Sequence, residues 1–239
     1  MMMNAWKKQC LVVAMAATMA GSASAIVTVT VTRTAGYYDT TYGGGEFTLK
    51  GSPWGSAYSA KALVAGGFQT FCLERNENVS MSTPYAAELN LDAVNGGLGG
   101  GTPDRLSIGT AWIYKQFAEG NLAGYNYTPG AGREASARAL QETIWWLENE
   151  QGDPGAGNLF RNLILARFGT GAAARADYDP STAGFNVRVV NLYGIDKITG
   201  RPDYTAKKQD MIVYLPDGGM TLVLMGGGLL GLAILRRKE

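Results

Sequence analysis

Cys72 is the residue of this sequence with the greatest capacity for covalent chemistry. The chain has two cysteines, and Cys10 lies in a leader that we expect to be removed, so the mature chain keeps one thiol. A lone thiol has no partner for an internal disulfide, so Cys72 is either a small buried apolar residue or a reactive group. The chain contains no histidine, which excludes Ser-His and Cys-His catalysis and histidine metal sites.

Two short segments, around Cys72 and around Gln141, carry the strongest pattern. They read Thr70-Phe71-Cys72-Leu73-Glu74 and Leu140-Gln141-Glu142-Thr143-Ile144-Trp145. Together they resemble the thioester domains of Gram-positive surface adhesins, in which a Cys follows an aromatic residue or Leu and a Gln opens a Gln-x-x-Ile-Trp motif on a helix. The best-known form of that motif is Thr-Gln-x-Ala-Ile-Trp, so Leu140 and Thr143 depart from it.

This resemblance implies an internal thioester between Cys72 and Gln141, with a β body carrying the Cys and a helical part carrying the Gln. The bond forms when the thiolate attacks the carboxamide carbon and ammonia leaves. Without histidine, proton transfer falls to a carboxylate, a tyrosine or bound water. Glu74 is a candidate because it shares one face of a predicted strand with Cys72.

A thioester survives only where water is kept away, and the sequence places large apolar side chains beside both reactants. Phe71 precedes the Cys, and Ile144, Trp145 and Trp146 follow the Gln. An amine or hydroxyl on a target would attack the acyl carbon and free the thiol. The result is a single-use covalent attachment without turnover, so we do not expect an enzyme, and the sequence implies no cofactor or metal.

Two other functions remain open. One is a non-covalent structural or matrix-binding protein with an unreactive Cys72. The other is a hydrolase using paired carboxylates, for which Glu142, Glu148 and Glu150 are the candidates. Charged residues on an exposed helix face explain these three better. The Gly-rich loop 97–101 lacks the Lys and the strand–helix context of a phosphate site.

Residues 1–25 are predicted to be a signal peptide. Lys7 and Lys8 provide the positive n-region, residues 11–17 the apolar h-region, and Ala23-Ser24-Ala25 the small residues of a cleavage site. Setting aside Lys7, Lys8, Asp217 and the charged residues 236–239 leaves 16 basic and 18 acidic residues, a formal charge of −2. With no basic run in this body, we expect no nucleic-acid partner.

The C-terminal segment, residues 215–239, has three parts. A turn-forming motif, Leu215-Pro216-Asp217-Gly218-Gly219, precedes an apolar stretch, residues 220–235, and a basic end, residues 236–238. The stretch is short for a bilayer span, for which about 20 residues are typical, but the basic end favours retention on the cytoplasmic side. The alternative is a buried C-terminal helix, which the low helix propensity of the glycines at 226–228 disfavours.

This tail resembles the PEP-CTERM class of sorting signals, most closely the variant that begins Val-Pro-Asp-Gly-Gly, with Leu215 in place of Val. The resemblance implies an exosortase as processing partner and cleavage near Pro216-Asp217-Gly218. It also implies an exopolysaccharide-producing bacterium, a precursor held in the inner membrane by the tail, and a final location at the cell surface or in the extracellular matrix. The covalent target would be an amine or hydroxyl of a surface, of a matrix polymer such as exopolysaccharide, or of a neighbouring cell, and the sequence does not name it.

The body, residues 26–214, is predicted to be one α+β domain: a mostly antiparallel β body with a central helical insertion. Alternation and apolar spacing predict strands at 26–33, 46–50, 67–75, 185–192 and 211–215 and helices at 104–119, 133–150 and 158–168. The connection through Asp196, Gly200 and Pro202 is expected to be a hairpin loop, and residues 171–180 a mobile loop.

Overall fold

The first strand shows how the sequence builds the sheet. A computed structural model describes residues 26–40, 43–52, 54, 59, 61–64, 66–94, 97–99 and 101–215. Within it, Val29 and Val31 of the strand Thr28–Thr32 are buried while the intervening threonines are more exposed, as their alternation predicts. The predicted leader (residues 1–25) and most of the predicted sorting tail (residues 216–239) lie outside the described residues.

The strands are β1 (Thr28–Thr32), β2 (Phe47–Lys50), β3 (Leu63–Val64), β4 (Gly67–Thr70), β5 (Pro84–Asn90), β6 (Asp92–Ala93), β7 (Asp104–Arg105), β8 (Val187–Ile195), β9 (Pro202–Lys207) and β10 (Met211–Tyr214). The helices are α1 (Ile108–Ala118), α2 (Ala131–Leu147), α3 (Leu159–Phe168), α4 (Gly171–Ala174) and α5 (Pro180–Ala183). The five helices lie between β7 and β8, so the predicted α+β fold with a central helical insertion is confirmed.

The main sheet of the described residues is antiparallel throughout, in the order β10-β8-β5-β1-β2-β4-β3, with β9 also paired to β8. The sheet curls until β4 and β10 approach each other. Thr70 Oγ1 donates to the Ile212 carbonyl at 2.7 Å, and the Tyr114 hydroxyl lies 2.9 Å from the carbonyl oxygens of both Gln69 and Ile212. Helix α1, which carries Tyr114, therefore links β4 to β10.

Helix α2 carries Gln141 and has the buried face that its spacing predicts. Ala137, Leu140, Ile144 and Leu147 are all buried, at intervals of three and four residues that place them on one side of a helix. Gln141 lies on the same buried side. Because an unpaired carboxamide in an apolar core is costly, this residue requires a polar partner across the interface.

The region around Cys72 differs from the prediction. The strand expected at 67–75 ends at Thr70, and Cys72 makes a single bridge pair with Met211 of β10. The helix expected from Asp104 begins at Ile108 instead, because Asp104–Arg105 pairs as β7 and Ser107 caps the helix by accepting from the Thr110 amide. Residues 171–180, expected to be a loop, contain helix α4.

Candidate functional site

The side chain of Gln141 is bonded to the backbone of Cys72. The Cys72 amide donates to Gln141 Oε1 at 3.1 Å, and Gln141 Nε2 donates to the Cys72 carbonyl at 2.8 Å. The Gln141 side chain thus satisfies the backbone amide and carbonyl of Cys72, which in a continuing strand would bond to a neighbouring strand. The two residues named by the sequence pattern, 69 positions apart in the chain, therefore meet in the structure.

Cys72 is held on its other side by β10. Besides the bridge to Met211, the Leu73 amide donates to the Asp210 carbonyl at 3.0 Å. The Cys72 side chain is 5% exposed and Gln141 is fully buried. A pair this well enclosed meets the first requirement of a thioester, which is exclusion of bulk water.

A small cavity of about 70 Å³ leads from Cys72 toward the surface. Its lining includes Cys72 and Trp145 and also the exposed residues Arg75 and Asn78. The charged side chains of Arg33 and Glu77 line it as well. Cys72 and Trp145 therefore border this cavity, and Gln141 is not among its lining residues.

Gly44 packs directly against the side chains of Gln141 and Trp145. A Cβ atom at this position would lie 2.9 Å from Gln141 Cγ and 2.8 Å from Trp145 Cη2, closer than side-chain carbons approach. The neighbouring Gly45 pairs with Tyr38, which fixes the course of this segment. The glycine run 43–45 was not considered in the sequence analysis, although it is the signal that a backbone passes close to another element here.

The electrostatics around Cys72 favour the neutral thiol. Burial raises the pKa of the Cys72 thiol above its ordinary range, the charge of Glu74 raises it further, and Arg33 opposes the shift. Arg33 stacks on Tyr38, with its guanidinium carbon 4.1 Å from the ring centre. Burial also raises the pKa of Tyr38, and its hydroxyl has no hydrogen-bond partner among the described residues. Neither Arg33 nor Tyr38 was identified from the sequence.

Glu74 is fixed by other contacts. Its Oε2 accepts from Gln209 Nε2 at 3.0 Å and from the Asp210 amide at 3.2 Å. Burial raises the pKa of Glu74, and the nearby charges of Asp210 and Glu77 raise it further. Its carboxylate therefore belongs to an acidic cluster at the start of β10, and the strand face that it was predicted to share with Cys72 is not formed.

The aromatic residues divide between the site and the core. Trp145 lines the cavity with Cys72. Phe71 lies in the core, with its ring centre 5.1 Å from that of Phe117, and Ile144 is fully buried there too. Trp146 packs elsewhere, beneath the Arg175 guanidinium at 5.1 Å. Of the aromatic residues that flank the motifs, Trp145 is thus the one that borders the cavity.

Two of the carboxylates considered for hydrolysis do not lie on an exposed helix face, so that interpretation was wrong for them. Glu148 and Glu150 are buried. Glu148 accepts from the Ser107 hydroxyl at 2.7 Å, which ties α2 to the start of α1. Glu150 accepts from three backbone amides, those of Arg75, Leu98 and Gly99. Both carboxylates thus hold loops and helix ends in place, while Glu142 is half-buried and lies near Arg138 at 3.2 Å.

The predicted sorting motif Pro216, Asp217, Gly218 and Gly219 lies outside the described residues. Among the described residues, no helix combines the length and the apolar character of a membrane span. Comparison of the whole chain with protein-family models, with curated proteins and with solved structures returned no match.

Proposed function

We propose that this chain is an exported surface protein in which Cys72 and Gln141 form an internal thioester for covalent attachment to a target. The observation that carries the proposal is the pair of hydrogen bonds between the Gln141 carboxamide and the backbone of Cys72. They place the carboxamide of one partner against the residue that bears the thiol. The resemblance to adhesin thioester domains, including the division between a β body and a helix, supports the same assignment.

Formation of the bond is favoured by proximity and by one backbone donor. Cys72 Sγ attacks Gln141 Cδ, the thiol proton passes to the amide nitrogen, and ammonia leaves as the Sγ–Cδ bond forms. The Cys72 amide already donates to Gln141 Oε1, so it is placed to stabilise the negative charge that develops on this oxygen during attack. Holding both groups in one buried site replaces an encounter in solution with a local event.

Tyr38 is the residue best suited to assist the proton transfer. Its hydroxyl is buried and has no hydrogen-bond partner in the described part of the chain. Arg33, whose guanidinium carbon lies 4.1 Å from the centre of the Tyr38 ring, lines the same cavity as Cys72, so Tyr38 lies next to a residue that borders the thiol's cavity. In a chain without histidine, a phenol of this kind can pass a proton from sulfur to the departing nitrogen.

The acceptor is an amine or a hydroxyl of a surface or matrix molecule, such as an exopolysaccharide or a neighbouring cell. It attacks Gln141 Cδ, forms an amide or ester, and returns the Cys72 thiol. The small cavity that Cys72 lines is the route we propose for the acceptor's approach. Each molecule reacts once, so the attachment is not described by a dissociation constant.

Export and sorting are part of the proposal. Residues 1–25 act as a cleaved signal peptide, residues 215–239 as an exosortase signal that holds the precursor in the membrane, and the released body reaches the cell surface or the matrix. The sequence patterns described above support this route.

A second candidate is a non-covalent matrix protein in which Cys72 is unreactive. One observation favours it: the Gln141 amide is already bonded at both its oxygen and its nitrogen, which satisfies a buried carboxamide without further chemistry. In that case Gln141 acts as a structural link between α2 and the Cys72 segment.

Incubation of the folded protein with a fluorescent primary amine separates the two candidates. We expect wild-type protein to take up one label, located on Gln141 by peptide mapping, and to gain one titratable thiol. Cys72→Ala and Gln141→Glu should take up none while remaining folded by circular dichroism. Wild-type protein that stays unlabelled, with a thiol that titrates before treatment, would assign the chain to the non-covalent candidate.

A further inference from the structure

Three carboxylates from two segments of the chain meet close to Cys72. Glu74 and Glu77 follow it in the loop after β4, and Asp210 immediately precedes β10. One carboxylate oxygen from each residue lies within 4.8 Å of those from the other two. Glu74 and Asp210 are buried and Glu77 is half-buried. Carboxylates gathered this closely away from water repel one another unless a positive charge or a proton is bound among them.

The two carboxylate oxygens of Glu74 differ in their contacts. Glu74 is 3% exposed, and its Oε2 is taken by Gln209 and by the Asp210 amide. Glu74 Oε1 is buried and has no hydrogen-bond partner in the described part of the chain. Since a buried carboxylate oxygen without a donor is strongly unfavourable, Oε1 is available to a cation.

Asp210 is oriented by its neighbours and keeps the capacity to bind. Asn191 Nδ2 donates to Oδ1 at 3.0 Å, and the Val94 amide donates to Oδ2 at 2.6 Å. A carboxylate offers about four lone-pair positions, and the bonds from Asn191, Val94 and Leu192 leave one of them for a cation. The neighbours therefore act as outer supports that fix the direction of the carboxylate, as they do around bound ions.

We propose that Glu74, Glu77 and Asp210 bind one calcium ion. Calcium takes oxygen ligands at about 2.3–2.6 Å in flexible geometry, so ligands around one ion lie within roughly 5 Å of one another, as these oxygens do. Magnesium demands a near-ideal octahedron and usually keeps several waters, which three carboxylates fixed by other contacts fit less well, and zinc prefers nitrogen and sulfur. Water completes the coordination on the half-exposed Glu77 side.

The ion would hold the Cys72 segment against β10. Its ligands come from both sides of that junction, where the Leu73 amide and the Asp210 carbonyl already bond. Calcium binding would thus stabilise the fold around the thiol, and it requires no thioester. The two proposals are therefore testable separately.

The test is titration of purified, EDTA-treated protein with calcium chloride, followed by calorimetry and thermal unfolding, in wild type and in Cys72→Ala. We expect one ion per chain with a dissociation constant of about 10⁻⁴–10⁻³ M, as in extracellular calcium modules. At about 10 mM calcium the melting temperature should rise by roughly 5 °C. Magnesium should give a smaller rise. The same result in Cys72→Ala shows that binding does not depend on the thioester.

Matched variants assign the ligands. Glu77→Gln is the first choice because its half-exposed side chain tolerates the change, and it should weaken calcium binding at least tenfold, as should Asp210→Asn. Glu148→Gln, a buried carboxylate bonded to Ser107, is the control and should bind like wild type. The proposal is overturned if folded wild-type protein shows no saturable calcium binding up to about 10 mM, or if Glu77→Gln and Asp210→Asn bind as tightly as wild type.

Discussion

Replacing Gly44 by alanine tests whether the glycine run holds the Gln141 side chain in place. The added methyl group would stand 2.9 Å from Gln141 Cγ and 2.8 Å from Trp145 Cη2, where about 3.5–4.0 Å is the preferred carbon–carbon distance. Both contacts must open by more than half an ångström. Overpacking of this kind costs about 1–3 kcal/mol, and we expect a loss of about 2 kcal/mol in the free energy of unfolding.

Urea unfolding followed by tryptophan fluorescence measures that loss, with Gly152→Ala as the control. No atom lies within 4 Å of the Cβ position at Gly152, so this variant should match wild type to within about 0.5 kcal/mol. Because Gln141 must shift, Gly44→Ala should also incorporate the amine label at least tenfold more slowly. Wild-type stability together with wild-type labelling in Gly44→Ala would refute the account of how this segment positions the carboxamide.

Two further predictions concern stability. Burial raises the pKa of Glu148 to about 7, so the folded protein holds this proton more tightly than the unfolded chain. The protonated Glu148 carboxyl therefore contributes fully to the free energy of unfolding below about pH 4.5, and this contribution is lost as the pH rises through about 7. Unfolding in urea should therefore show wild type losing roughly 2 kcal/mol more than Glu148→Gln between pH 5 and pH 7, and equal losses would contradict this. A thioester between residues 69 positions apart would restrict the unfolded chain, so opening it with methylamine should lower the free energy of unfolding by about 4 kcal/mol. Superimposable unfolding curves before and after treatment would argue against the cross-link.

The sequence predicted the elements whose pattern is local. The valine–threonine alternation of β1 and the apolar spacing of α2 were confirmed because each reports one face of one element. Strand β5, Pro84–Asn90, was missed, although it lies between β1 and β8 in the sheet. Its two central alanines are buried, but they are too small to give a clear hydrophobic signal, and tertiary pairing decides its structure.

The segment between β8 and β10 contains the predicted turn and also a strand, β9, that the prediction missed. Asp196 and Gly200 do mark a turn, since the Asp196 carboxylate accepts from the Ile198 and Thr199 amides. Strand β9 begins at Pro202, which the prediction had placed within the loop. Proline is tolerated there because it is the first residue of the strand.

The candidate site was predictable only in part. The pairing of Cys72 with Gln141 came from two motifs, and their contact depends on how the sheet and α2 come together. Arg33 and Tyr38 reach the site from a loop-rich segment with no motif of its own, so no local pattern singles them out, whereas the glycine run that contains Gly44 was a signal that the prediction did not use. Glu74 was expected to share a face with Cys72, but the end of β4 at Thr70 removes that relation.

The most direct measurement for the central claim is the intact mass of the mature wild-type protein beside that of Cys72→Ala. We predict that the wild-type mass falls short of the mass calculated from its sequence by one ammonia, and that this deficit is absent in the variant. Methylamine should abolish the deficit by opening the thioester, which converts Gln141 to its N-methylamide. A wild-type protein of full mass, with a thiol that titrates freely after unfolding, would contradict the thioester and leave Gln141 as a structural partner of the Cys72 backbone.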